Sequence, residues 1–208
     1  MRRALNARLR AVPEWAVWLA GAIPLALLVA DVLGGRAGVD PVAAIEHRLG
    51  QTALYFLIAG LAVTPLARHL RINLVPFRRA LGLLCFAYAC LHLAAWVVID
   101  MGLRWPQLLR DVVKRPYLVF GMAAFLLLVP LAATSNAASI RRLGVRVWKR
   151  LHRAAYAAAI LAALHWLWAG KVWELRPALW LAAILALLVL RLPLPALWRP
   201  GAQAALRK

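Results

Sequence analysis

His152 and His165 stand thirteen residues apart at the two ends of an apolar run of Ala, Leu, Ile and a single Tyr, and His92 lies inside another such run. Lipid penalises an ionisable side chain unless a partner or ligand compensates it, so each is a functional-site signal. Imidazole is also a common axial ligand of haem iron. His92 lies 13 residues past Arg79, and His165 lies 13 past His152 and 15 past Arg150. At about 1.5 Å per residue, His92 and His165 are both roughly 20 Å from the basic boundary where their helices begin. Two imidazoles at one depth on different helices can supply both axial nitrogens to a planar haem. The alternative is that each is a polar bundle residue bonded to a neighbouring carbonyl. Tyr88 and Trp96 stand at i−4 and i+4 from His92, and Trp166 and Trp168 adjoin His165. Aromatics there suit a cofactor pocket and a membrane-interface belt alike.

His152 has no such companion. A straight helix turns it about 140° away from His165, and the positions on the third helix where a partner histidine would stand hold Arg78 and Arg79. Arginine suits a haem propionate or a phosphate better than it suits iron. Arg78, Arg79, Arg150 and His152 are therefore a candidate group for a propionate, a flavin phosphate or a quinone carbonyl. Within it His152 is either an iron ligand with an unusual partner or a snorkelling polar residue. His69 reads as part of a basic loop, and His47 as a solvated residue where a helix starts. Cys85 and Cys90 would point about 140° apart on one helix, so neither a disulfide nor a thiol metal site is expected.

The elements that carry these residues follow from composition. With 65% hydrophobic and 16% charged residues and a mean hydropathy of +0.76, the chain is too apolar for an ordinary soluble domain. Apolar segments at about 14–33, 50–67, 80–99, 116–134, 151–169 and 177–192 predict an all-α integral membrane protein, a six-helix transmembrane bundle forming one domain over residues 1–208. Pro24, Pro65 and Pro130 mark expected kinks. The net charge of +19 is not a nucleic-acid signal here, because the cations lie between apolar runs and act as topology determinants. Eighteen Lys and Arg fall on the side of the two termini and eight on the other, which predicts both termini in the cytoplasm of a bacterial inner-membrane protein. Arg2, Arg3, Arg8 and Arg10 precede an apolar run from Trp15 to Leu33 that is long and lacks a small-residue cleavage site, so an uncleaved first helix is expected. Asp31, Asp40, Asp100, Asp111 and Glu174 lie on the outer side, and no carboxylate pair sits inside a span as a proton relay would require. All connections read as short.

Several stretches then stand together in order: Asp40-Pro41-Val42, Ile45-Glu46-His47 with Gly50, Ala62-Val63-Thr64-Pro65-Leu66, Arg78-Arg79-Ala80-Leu81-Gly82-Leu83, Leu91-His92-Leu93, Lys114-Arg115-Pro116-Tyr117, Ala133-Thr134-Ser135, Leu151-His152-Arg153, and His165-Trp166-Leu167-Trp168 with Lys171. This pattern resembles the MsrQ (YedZ) family, haem-binding membrane subunits of the periplasmic methionine sulfoxide reductase system with a ferric-reductase-like transmembrane domain. The resemblance implies b-type haem held by His92, His152 and His165, with one haem or two. It also implies FMN, and electron delivery to a periplasmic molybdopterin subunit that reduces methionine sulfoxide in damaged proteins. The fourth histidine of two-haem relatives is absent, and so is a Gly-rich dinucleotide turn, so electrons are expected from the quinone pool or a separate cytoplasmic flavin reductase. No catalytic acid or nucleophile is expected in the chain, which acts as an electron-transfer subunit of an oxidoreductase. The rival readings are a quinol-linked cytochrome b or ferric reductase acting on a small oxidant, and a non-redox membrane scaffold.

Overall fold

A computed structural model of the chain describes residues 2–170 and 174–191. Lys171, Arg199, Arg207 and Lys208, which the sequence reading used, lie outside the described residues. Helices α1 (Arg2–Ala11), α2 (Glu14–Leu33), α3 (Pro41–Pro65), α4 (Arg78–Ala94), α5 (Trp105–Lys114), α6 (Pro116–Ala133), α7 (Ala137–Leu151), α8 (Ala154–Ala169) and α9 (Leu175–Val189) follow in order. Four continuous helical stretches, Glu14–Leu33, Pro41–Leu70, Val75–Asp100 and Pro116–Ala133, are long and apolar enough to cross a membrane, while α8 and α9 are shorter apolar helices.

Three differences from the sequence reading have local causes. The second apolar helix begins at Pro41 rather than near 50: the Asp40 side chain accepts from the Ala43 amide (3.0 Å) and Pro41 occupies the first turn, a strong start signal. The polar Glu46-His47-Arg48 stretch is therefore inside α3, not ahead of it. The fourth-to-fifth connection is not a short loop but α7, an amphipathic helix carrying Arg141, Arg142, Arg146, Lys149 and Arg150. α8 consequently starts at Ala154, three residues later than expected, and His152 caps α7 instead of opening the next span. The helices α1 and α5 are likewise amphipathic, and amphipathic segments escape a search for continuous apolar runs.

The bundle is built from two closely packed pairs, α3 with α4 and α6 with α8. One core joins Leu54, Leu57 and Leu61 of α3 to Cys85, Leu128, Ile184 and an alanine face of α8, Ala158, Ala159 and Ala163. Small residues at that face let helix backbones approach where lipid offers no hydrophobic drive. A second core joins Leu28 of α2 to Leu49, Ala53, Tyr88 and Ala95, and Asp31 binds Arg48 (2.7 Å) across the same two helices, α2 and α3.

Helix α2 carries Pro24, and the Tyr88 side chain bonds the α2 backbone beside that residue. The Tyr88 hydroxyl donates to the Gly21 carbonyl (2.7 Å) and accepts from the Leu25 amide (3.0 Å), two groups that would otherwise pair with each other. A side chain inserted into the ladder is a recognised source of helix bending. Replacing Tyr88 by Phe leaves both backbone groups without this partner in an apolar setting, at a cost of about 1–3 kcal/mol. Thermal unfolding of the detergent-solubilised variant should register the loss, and an unchanged midpoint would show that the hydroxyl does not hold α2.

Candidate functional site: a paired-imidazole cavity

A cavity of about 300 Å³ lies between the two helix pairs, and both His92 of α4 and His165 of α8 line it. Their ring centroids are 6.1 Å apart with the planes crossed at 69°. Two metal–imidazole bonds of about 2.1 Å each, plus the half-rings behind them, span roughly 6 Å. The observed separation leaves room for one metal ion between the two imidazoles.

The protonation pattern fits as well. His92 Nδ1 lies 2.9 Å from the Glu46 carbonyl and His165 Nδ1 lies 2.8 Å from the Tyr117 carbonyl. A carbonyl only accepts, so each Nδ1 carries the proton and each Nε2 carries the lone pair that a metal needs. The carbonyl bond expected of a purely structural histidine is thus present, and it is also the usual support of a ligating one. No cluster of three or more His, Cys, Asp or Glu suited to a bare metal ion occurs among the described residues. Haem, which brings four nitrogens of its own, would need only two further donors, and His92 and His165 could supply them.

The walls suit a flat apolar ring. Leu54, Leu57, Leu128 and Phe125 line the cavity, with Trp96 and Trp166 beside the histidines. The Glu46 Oε1 atom is buried without a hydrogen-bond partner among the described residues, and Glu46 also lines the cavity. Just past His92, α4 continues as a π-helical turn over Ala95–Asp100, a local widening that is frequent at functional sites. Neither this turn nor Gly121, which lies against the His165 ring, figured among the residues singled out in the sequence. An isolated glycine within an apolar helical run was the one available signal for it.

The remaining candidates sit at the opposite end of the bundle. His152 Nε2 lies 3.1 Å from Thr134 Oγ1, and that hydroxyl donates to the Pro130 carbonyl (2.6 Å). The Thr134 proton is thereby committed, so His152 Nε2 is the donor of the pair. Its ring stacks on Trp148 at 3.9 Å, and Trp148 in turn donates to the Thr134 carbonyl (2.9 Å). Burial, with the Arg78 charge adding to it, holds the His152 pKa below the usual imidazole value and keeps the ring neutral. The structure brings Arg78 near His152 and Arg191, and Arg78, Arg79 and Arg150 are all exposed. His47 is exposed at the cavity's outer rim, and His69 lies 3.3 Å from the Leu190 carbonyl.

Residues 49–163 match the family described as ferric reductase like transmembrane component; the match includes His92 and His152 and stops just short of His165. The chain is also similar, at 43% identity over 205 residues, to the protein-methionine-sulfoxide reductase heme-binding subunits MsrQ of Brucella ovis, Brucella canis and Brucella abortus. Each alignment covers 94% of this chain and 93% of the relative.

Proposed function

The chain belongs to the ferric reductase like transmembrane component family and, within it, to the MsrQ heme-binding subunits, and from that premise we propose that it is a multi-pass membrane subunit passing electrons to a methionine sulfoxide reductase. The observation that carries the reading is the pair of imidazoles 6.1 Å apart across an apolar cavity. His92 and His165 are the residues that would hold haem b, and when bound there it supplies a one-electron centre inside the bilayer. What the chain contributes is positioning: Glu46 and Tyr117 carbonyls fix both rings with Nε2 unprotonated, and the leucine and aromatic walls keep water away, which tunes the potential of the site.

Direction follows from charge. The end carrying α1, α7 and the basic connections faces the cytoplasm of a bacterial inner membrane by the positive-inside bias, which puts the cavity near the periplasmic face. Electrons arrive at the cytoplasmic end, where Arg78, Arg191 and a neutral His152 form a cationic, hydrogen-bonding surface suited to a quinol or a flavin phosphate. They leave at the periplasmic end to the molybdopterin-containing catalytic subunit, beneath the loops around α5. The chain needs no acid or nucleophile of its own for this. Purified protein produced with haem supplied should show a reducible b-type Soret and α band, and its reduced form should be reoxidised by the catalytic subunit with methionine sulfoxide present. A protein without such bands sinks the reading. Reoxidation by ferric chelates but not by the catalytic subunit would favour a ferric reductase instead.

A further inference from the structure

The two ligand histidines are held by the same device on two different helices. His92 of α4 reaches the carbonyl of Glu46 on α3, and the residue four places further along α3 is Gly50. His165 of α8 reaches the carbonyl of Tyr117 on α6, and the residue four places further along α6 is Gly121. In an α-helix the carbonyl of residue i faces the amide of residue i+4. Side chains tilt towards the helix N-terminus, so the side chain at i+4 covers the surface over carbonyl i. A glycine there leaves the carbonyl open to a second donor from outside the helix.

The clearance is tight in both cases. A Cβ on Gly50 would stand 3.2 Å from His92 Nδ1 and Cε1, and a Cβ on Gly121 would stand 2.8 Å from His165 Nδ1 and 3.0 Å from its Cε1. Gly60, also on α3, has nothing within 4 Å of such an atom. Close contact with an imidazole is thus particular to these two positions rather than general to glycines in the bundle. Each packed helix pair carries one notch and one imidazole, and the two ring planes cross at 69°.

We propose that Gly50 and Gly121 are positioning residues for the redox centre, each forming with the carbonyl four residues earlier a notch that sets the plane and the Nδ1–H bond of one axial histidine. This rests on the ligand reading of His92 and His165. A firm bond from Nδ1–H to a carbonyl makes the imidazole more basic, which favours the oxidised iron and lowers the midpoint potential. Filling a notch with a methyl group pushes the ring off its carbonyl, weakens that bond and rotates the ring plane.

The test is a potentiometric titration and a low-temperature electron paramagnetic resonance spectrum of purified haem-loaded Gly50→Ala, Gly121→Ala, Gly60→Ala, His92→Ala and His165→Ala proteins. The expected result is a raised midpoint and a moved low-spin g-maximum in both notch variants, larger for Gly121→Ala, whose methyl group has less room, with Gly60→Ala unchanged. Should Gly121→Ala fail to accumulate, Gly50→Ala still decides, since a contact near 3.2 Å asks the ring to yield by only a few tenths of an ångström. Wild-type potential and g-values in Gly50→Ala overturn the notch, provided that the two alanine variants at the histidines have lost the low-spin signal. If those histidine variants keep the signal, the ligand assignment itself falls.

Discussion

Replacing His92 or His165 by alanine abolishes the low-spin b-type spectrum, the largest effect expected of any single substitution in this chain. On the proposed reading each would supply one nitrogen to the haem iron, and among the described residues the cavity has no replacement donor of the same kind in place: His47 is exposed at its rim and His152 is bonded to Thr134 at the far end. Loss of a group that merely supports a metal ligand costs about 10–100-fold in affinity, and loss of the ligand itself exceeds that. The measurement is the reduced-minus-oxidised spectrum and the haem content per chain of each purified variant. Both changes should act alike, because the two imidazoles face each other across one site 6.1 Å apart. A spectrum that survives either substitution unaltered would remove that histidine from the coordination sphere.

The second large effect is expected at Arg191, a residue with no part in the cavity. Pro65 has no amide hydrogen, so the carbonyl four residues earlier, that of Leu61, lacks its helical donor. Arg191 fills the gap from α9: Nε and Nη2 both donate to the Leu61 carbonyl, and Nη1 donates to the Tyr156 hydroxyl (2.8 Å). Its guanidinium also lies 5.1 Å from the Tyr156 ring centroid. One planar fork just past the end of α9 thereby ties it to α3 and α8. Arg191→Met keeps much of the apolar stem but leaves the Leu61 carbonyl without this donor, at a cost of about 1–3 kcal/mol. Arg191→Lys should restore little of it, since an ammonium cannot reproduce the fork. Denaturant titration in mixed micelles reads the loss, while the spectrum of the intact fraction stays that of the parent. Equal stability of parent and Met variant would show that Leu61 finds another donor.

Much of the fold could be read from the order of residue types. Among the described residues the apolar runs marked the four helices long and apolar enough to cross a membrane and the two shorter apolar ones, because lipid and a helical core make the same demand on every residue of a span. Where a helix also carries polar residues that reading failed: α3 reaches back through Arg48, His47 and Glu46 to the Asp40 cap, and α7 takes up a basic stretch read as a loop. Both follow from local rules of capping and amphipathicity that a hydropathy window averages away.

The candidate site divides along the same line. That His92 and His165 belong together was legible as a match of depth, since rise per residue is a local constant of the helix. So was the isolation of His152 from them. The sequence could not say which nitrogen each ring offers, because that depends on the Glu46 and Tyr117 carbonyls reached across a helix contact. Nor could it separate Gly50 and Gly121 from Gly60, for all three are single glycines in apolar helices and only the approach of another helix sets two of them against an imidazole. By itself the sequence determined which apolar segments are helical and that His92 and His165 lie at matching heights along their helices, both properties of one helix in an apolar medium. Tertiary structure alone decided the tautomers, the crossing of the rings and Arg191's bond to the carbonyl that Pro65 leaves bare, because each depends on two helices meeting at one rotation about their axes.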